Sequence, residues 1–197
     1  MIKTLTKADL AERFIEQAAT IGYPIKGLRA KFIVDEFFAL LFGNVAIGKA
    51  VYFPRMGKII STVKKGGRPV RNPKNGDTFA MPPTVNIKFS AMKTKGDKFL
   101  RSEAVIMLTT HFTGAENVRV QLAEMLFDEF VYMLVQVKRR EARIEIRGFA
   151  SFIGKKMKPK IARNPKTGES VEVGSQVKIT MKAGKQLQAA AIMHQLG

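Results

Sequence analysis

The chain reads twice. Arg71-Asn72-Pro73-Lys74-Asn75-Gly76 returns in the second half as Arg163-Asn164-Pro165-Lys166-Thr167-Gly168. Upstream, Asp35-Glu36-Phe37 returns as Asp128-Glu129-Phe130, and Leu41 as Leu134. Earlier still, Lys7-Ala8-Asp9 is matched by Arg101-Ser102-Glu103; downstream, Val85 and Lys93 are matched by Val177 and Lys185. One extra residue near Gly66-Gly67 reconciles the spacing. An ordered series of landmarks restricts a chain of 197 residues to two copies of one unit, of a size that suits two small domains or halves sharing a core. The units are expected at 1–97 and 98–197.

Charge is duplicated with the landmarks. Lys and Arg number 34 against 16 Asp and Glu, a net charge of +18. The stretch 55–76 carries seven basic side chains and no acid, and so does 147–168. A solvated surface mixes signs, so two matched single-sign segments indicate a paired surface for an anionic partner, and nucleic acid is the leading one. The chain is 46% hydrophobic with 14 Phe, which supplies a core and excludes a disordered polycation.

Each half has the same local pattern. Thr6-Lys7-Ala8-Asp9 is a capping box opening a helix with Leu10, Phe14 and Ile15 on one side. Gly22-Tyr23-Pro24 ends that helix. A second helix, about 26–42, places Ile33, Val34, Phe37 and Leu41 at helical spacing; its counterpart does so with Leu126, Phe127, Phe130 and Leu134. The wide apolar stripe predicts burial against another helix. Strands follow at Ala50–Phe53 and Arg143–Ile146, then the basic stretches, then Thr78–Met81 and Ser170–Val173. Proline pre-sets φ for a turn and glycine supplies the positive φ that closes one. Each basic stretch is therefore expected to be a two-stranded arm, about 55–80 and 147–172, with Pro73 or Pro165 at its tip. A short helix at 91–97 and 183–193 closes each half. The fold class is α+β, ordered α-α-β-β-β-α twice.

These residues resemble the HU and integration host factor group of bacterial histone-like DNA-binding proteins. Half two carries the sharper match: Gly148-Phe149-Ala150-Ser151-Phe152, the basic arm, Ala162-Arg163-Asn164-Pro165-Lys166-Thr167-Gly168, then Lys182-Ala183-Gly184-Lys185. Half one departs where Arg55-Met56-Gly57-Lys58-Ile59 stands in place of the glycine-phenylalanine segment, and half two has Leu100 where half one has the capping Thr6. The resemblance implies a body of intertwined helices with two arms that reach around a duplex. Here both subunits lie in one polypeptide, a pseudo-dimer whose halves pair with each other across a connection of about Thr94 to Leu100. Further homo-oligomer formation stays open.

On this reading the partner is double-stranded DNA. Arm cations on alternating positions face phosphates: Arg55, Lys58, Lys64, Lys65, Arg68 and Lys74 in half one, Arg147, Lys155, Lys156, Lys158, Lys160 and Lys166 in half two. Pro73 and Pro165, each beside Asn72 or Asn164, wedge a base step while Arg71 and Arg163 enter the minor groove, which bends and compacts DNA with low sequence specificity. Lys93 and Lys185 are candidates for further phosphate contacts.

Nothing in the sequence supports catalysis, a cofactor, a metal or a small-molecule substrate. Asp35-Glu36 and Asp128-Glu129 suit helix pairing, His111 and His194 lack ligand spacing, and cysteine is absent. The apolar run 37–42 is too short to span a bilayer and the N-terminal stretch has no signal core, which predicts a soluble, cytoplasmic, nucleoid-associated protein, or one bound to DNA in a virus-infected cell or virion. The alternative is a histone-like assembly component of a phage or viral particle acting mainly through protein contacts. RNA binding is disfavoured because the arms carry almost no aromatic residues for base stacking.

Overall fold

The computed structural model describes residues 2–91, 97–163 and 168–196. The first half runs β1 (Lys3–Leu5), α1 (Lys7–Thr20), α2 (Gly27–Ala46), β2 (Ala50–Phe53), β3 (Gly57–Lys64), β4 (Pro69–Arg71), β5 (Thr78–Ala80) and β6 (Thr84–Ser90). The second runs β7 (Lys98–Phe99), α3 (Arg101–Thr109), α4 (Glu116–Arg139), β8 (Ala142–Ile146), β9 (Ala150–Met157), β10 (Lys160–Arg163), β11 (Ser170–Val173), β12 (Gln176–Ala183) and α5 (Lys185–Leu196).

Helix α1 starts where its first turn is capped. The Thr6 amide and hydroxyl donate to one Asp9 carboxylate oxygen at 2.8 and 2.7 Å. Burial pushes the Asp9 carboxyl up, but the Thr6 hydrogen bonds and the charge of Lys3 outweigh it and hold the group below its ordinary 3.8. In half two the threonine is lost and the acid survives: the Leu100 amide donates to Glu103 at 2.7 Å. The first helix of each half is then pinned to the second at matching positions. Lys7 pairs with Asp35 at 2.6 Å, and Arg101 with Asp128 at 2.8 Å and Glu124 at 2.9 Å. Such exposed pairs stabilise by only about 0–1 kcal/mol each, so they orient the helices more than they hold them.

Phenylalanine holds them. Phe37 and Phe130, the same residue of the two copies, meet edge to face with centroids 5.6 Å apart. Phe38 and Phe53 lie 5.3 and 5.5 Å from Phe130, Phe127 lies 6.0 Å from Phe37, and Phe152 joins at 6.2 Å. All six rings are buried, and one apolar cluster runs through both halves. A residue touching its own counterpart marks the pseudo-twofold axis of the body.

The sheets interlock the halves a second time. One has strand order β1-β8-β9-β12 and the other β6-β3-β2-β7. Leading strand β1 pairs parallel with β8 of the other half, from Lys3 opposite Ala142 to Leu5 opposite Ile144. Leading strand β7 pairs parallel with β2, Ala50 opposite Lys98. Each half thus lends its first strand to the other. Edge strands β6 and β12 lie side by side, and Phe89 of β6 reaches Phe152 of β9 in ring contact at 6.2 Å.

Several sequence expectations change in detail. The arms are not single ladders. In half one β3 and β6 pair from Lys58 opposite Ser90 to Lys64 opposite Thr84, pairing stops, and a separate ladder β4–β5 carries the tip. The return strand therefore extends well beyond residue 80. Pro82 and Pro83 cannot donate to a ladder, and Gly66 packs so closely under them that a Cβ there would lie 2.6 Å from the Met81 carbonyl. In half two the interruption falls at Lys158-Pro159 and Gly174-Ser175, between the β9–β12 and β10–β11 ladders. The final helix begins at Lys185 rather than 183, because Ala183 is still paired with Ala150 in the sheet. The helix expected at 91–97 lies mostly outside the described residues; its flanks Ala91 and Asp97 are not helical.

Replacing Phe130 with Ala is expected to cost about 3–5 kcal/mol. Because one cluster serves both halves, denaturant unfolding should stay a single transition with a lower midpoint, and two separated transitions would contradict the shared core. Asp9→Asn is expected to destabilise at neutral pH. A carboxyl held low contributes stability that is present above its unfolded value and lost as pH falls through its folded value, so the gap between wild type and variant should close on acidification below about pH 4.

Candidate nucleic-acid interface

Alternation along the ribbons sorts their side chains into two faces. In β9, Phe152 points to the core while Ser151, Ile153, Lys155 and Met157 point away from it; in β12, Ile179 and Met181 point in while Lys178, Thr180 and Lys182 point out. The register sets Lys155 opposite Lys178 and Lys182 opposite Ser151. In half one Lys88 of β6 lies opposite Ile60 and is exposed, while Ile87 and Phe89 on either side are buried. The core-distal sheet face is therefore cationic and continues out along both ribbons.

The described residues of the two tips match. In half one the Asn72 amide donates to the Asp77 carbonyl at 2.7 Å and the Gly76 amide to the Asn72 carbonyl at 2.9 Å. The Asn72 side chain accepts from the Lys74 amide at 3.0 Å, an Asx turn that presents Pro73 to solvent. Gly76 has φ +81° and its counterpart Gly168 φ +76°. Arg71 Nε donates to the Gly76 carbonyl at 3.3 Å and Arg163 Nε to the Gly168 carbonyl at 3.0 Å. Each tip arginine is thus folded back against its own turn.

Of the expected contacts, Arg55, Lys64, Lys65, Arg68, Arg71, Pro73 and Lys74 in half one are exposed, as are Arg147, Lys155, Lys156, Lys158, Lys160, Arg163 and Lys185 in half two; Asn72 is half-buried. Asn164, Pro165, Lys166 and Lys93 lie outside the described residues. Lys58 is a correction. It is only 2% exposed, its ammonium sits 4.9 Å from the centre of the Tyr52 ring, and it donates to the Tyr52 hydroxyl at 3.3 Å. The β2–β3 register sets Tyr52 directly opposite Lys58, so the aromatic ring covers the cation and takes it off the exposed face of the arm, leaving it at the wall of the recess beside Arg101. Arg55 holds φ +60° where half two has Gly148 at φ +79°, a left-handed turn that glycine adopts freely and arginine at a cost. Lys88, Lys178 and Lys182 are missing from the sequence expectation. They lie on the return strands, outside the two acid-free windows, and only strand register brings them to the same face.

Two recesses of matching construction flank the body. One is lined by Thr6, Lys7, Ala8 and the β8–β9 turn with Lys182 and Lys185; the other by Leu100, Arg101, Ser102 and the β2–β3 turn with Ser90. Each brings a helix N-terminus beside cationic side chains, an arrangement that favours anions. Among the described residues no group of three or more His, Asp or Glu is placed to hold a metal.

The geometry defines a class: a duplicated α+β body that carries two cation-bearing β-ribbons. Comparison with known proteins makes the class specific. The family described as bacterial DNA-binding protein matches residues 5–99 and again 107–191. The integration host factor subunit beta of Mannheimia haemolytica is 40% identical over 34% of this chain and 73% of its own length. That of Idiomarina loihiensis is 39% identical over 44% of this chain and 89% of its own. Among solved structures, the chain of an Anabaena HU–DNA cocrystal is similar at 21% identity and a TM-score of 0.37, over 44% of this chain and 89% of that one. This chain belongs to the bacterial DNA-binding protein family, of the HU and integration host factor kind, and carries the family unit twice.

Lys155 and Lys178 are directly opposed like charges in an antiparallel pair, which destabilises the free protein. Lys178→Thr is expected to raise stability by about 0.5 kcal/mol at low salt, with the gain shrinking as salt screens the pair. Chemical denaturation at two ionic strengths measures both.

Proposed function

We propose that the chain is a non-enzymatic architectural protein that binds a single DNA duplex across the cationic sheet face and bends it with two arms. The observation that carries this reading is the duplication of the tip on one covalent body. Asn72, Gly76 and the folded-back Arg71 recur as Asn164, Gly168 and Arg163, each at the end of a cationic ribbon. A single site would need one such tip; two on one pseudo-twofold body suit two points of one duplex.

The chemistry follows from charge and shape. Exposed arm cations neutralise phosphates and release condensed counterions, which gives affinity without sequence information. A proline at a turn has an apolar face and no N–H to leave unsatisfied, so it can enter a base step and unstack it. Arg71 and Arg163 would leave their glycine carbonyls for the minor groove, whose pattern distinguishes little beyond A·T from G·C. Preference would then go to bent, nicked or flexible DNA over a fixed sequence. The flanking recesses, with Arg147, Lys182 and Lys185 at one of them, would take phosphates of the bent duplex beyond the arms. Association with the nucleoid, or with DNA in an infected cell or virion, belongs to the same proposal. No helix among the described residues is long and apolar enough to cross a membrane.

The test is energy transfer between the ends of a labelled duplex, run beside a binding titration. Pro73→Ala with Pro165→Ala should leave binding within a few-fold while transfer falls toward that of free DNA; transfer unchanged in the double variant would remove the wedge role. Titrations across salt should give a steep negative slope of log K, made shallower by about 0.9 for each phosphate-contacting lysine removed, such as Lys155 or Lys178, and left alone by Lys58→Met. A flat slope for the wild type would favour the assembly-protein alternative.

A further inference from the structure

The two copies are not equivalent on the helical side of the body. Where α1 crosses α4, Arg13 pairs with Glu129 at 2.7 Å and its guanidinium stacks 4.3 Å from the centre of the Tyr132 ring. A cation, a carboxylate and an aromatic ring close that seam. The matching seam, where α3 meets α2, has Met107 at the position of Arg13, Glu36 at that of Glu129 and Ala39 at that of Tyr132. Glu36 therefore makes no ion pair among the described residues, and the seam opens as a groove of about 320 Å³ that includes Glu36, Leu40, Met107 and His111. Around it the apolar surface is large. Leu28 is 84% exposed, Phe32 47%, Ile106 68% and Met107 50%. Phe32 is held upright by the edge of His111 at 6.0 Å, while Arg29 stacks on it and donates through Nη2 to the His111 carbonyl. An ordered patch of this kind on a charged protein marks an interaction site.

We propose that this seam docks a second copy of the chain, back to back, once the positive charge of both is screened or neutralised. The charges of α2 favour a second copy over other occupants. In two α2 helices crossing antiparallel about Phe32, Arg29 of each copy lies opposite Glu36 of the other. Each copy then supplies the cation that Met107 does not, while Phe32 closes over its counterpart at the crossing and Leu28 covers the Glu36 end of the partner helix; Arg29 keeps Nε and Nη1 for the purpose. An acidic foreign segment would meet the Glu36 carboxylate at the centre of the groove and be repelled. A patch that satisfies itself about a twofold axis is what an isologous dimer requires. The net charge of +18 opposes the contact in the free chain at low salt. Neutralisation by DNA would remove that barrier, so two loaded copies would bridge two duplexes; this part of the inference rests on the DNA-binding reading above.

Two measurements test it independently. Light scattering in about 1 M salt, where the screening length is about 3 Å, should give a mass of two chains without any DNA. Met107→Arg, which copies the closure of the other seam, should return the mass to one chain, and so should Phe32→Glu, with thermal unfolding confirming that both fold. At lower salt, donor-labelled and acceptor-labelled duplexes mixed with the wild type should show transfer between molecules, reduced at least roughly tenfold in effective affinity by either variant, while anisotropy shows each duplex still bound. A single-chain mass in high salt, or transfer unchanged by both variants, overturns the docking proposal and leaves the seam to a foreign partner. Absence of duplex binding by anisotropy would instead overturn the DNA reading and leave the high-salt result to decide the docking.

Discussion

The contact between Phe37 and Phe130 is the interaction on which the rest depends. The units are long enough to hold cores of their own, yet the aromatic residues of each are covered by those of the other. Rings from α2 and α4 meet at the pseudo-twofold axis, and rings from the strands of both halves pack around them. Neither half has a finished core without the other. Since both sheets are anchored on that shared cluster, the roots of the ribbons take their relative placement from it.

The exchanged leading strands give the covalent fusion its economy. Strand β7 is the last part of the connection between the halves and also an edge strand of the first half's sheet, beside β2. Its counterpart β1 makes the same parallel pairing with β8, where Arg143 Nε also donates to the Thr4 hydroxyl at 2.8 Å. A chain leaving half one therefore reaches the start of α3 along a strand that the unit needs in any case. Fusion also frees the copies to diverge, since a change in one half is no longer repeated in the other. Arg13 against Met107, Gly148 against Arg55, and Ser151 against the buried Lys58 are each differences that a dimer of identical chains could not hold.

Much of this was legible in the residues. The capping acids, the Asp-Glu-Phe landmark and the Asn-Pro turn with its glycine each act over a few residues, and each is found where local chemistry puts it. What escaped was non-local. Strands β1 and β7 are too short to show alternation, and their partners lie in the opposite half. The covering of Lys58 by Tyr52 needs the β2–β3 register, and the outward face of Lys178 needs the β9–β12 register. The interruptions of the ribbons were signalled, by Gly66-Gly67, Pro82-Pro83 and Pro159, yet a basic composition reads as one continuous arm until the missing donors are counted. The single-sign windows located the arms but not their return strands, because charge density along the chain is blind to pairing across it.

The arms are the part of the molecule least suited to stand alone. Lys155 faces Lys178 across a ladder, Ile161 is 73% exposed on a two-stranded ribbon, and each tip arginine spends a hydrogen bond on its own turn. An isolated two-stranded ribbon is marginal in water even without opposed charges. These features conflict with local stability and suit the proposal that an anion lies along the ribbon, which would relieve the repulsion and give the arginines stronger acceptors than a carbonyl. The interruptions at Pro82-Pro83 and Pro159 set the distal β4–β5 and β10–β11 ladders apart from the sheets rooted in the core, so the body carries the Lys155–Lys178 repulsion but not the exposure of the tips. Packed where it is buried and unsatisfied where it is exposed, the chain has its proposed binding surface placed where the physical chemistry of the free state is least favourable.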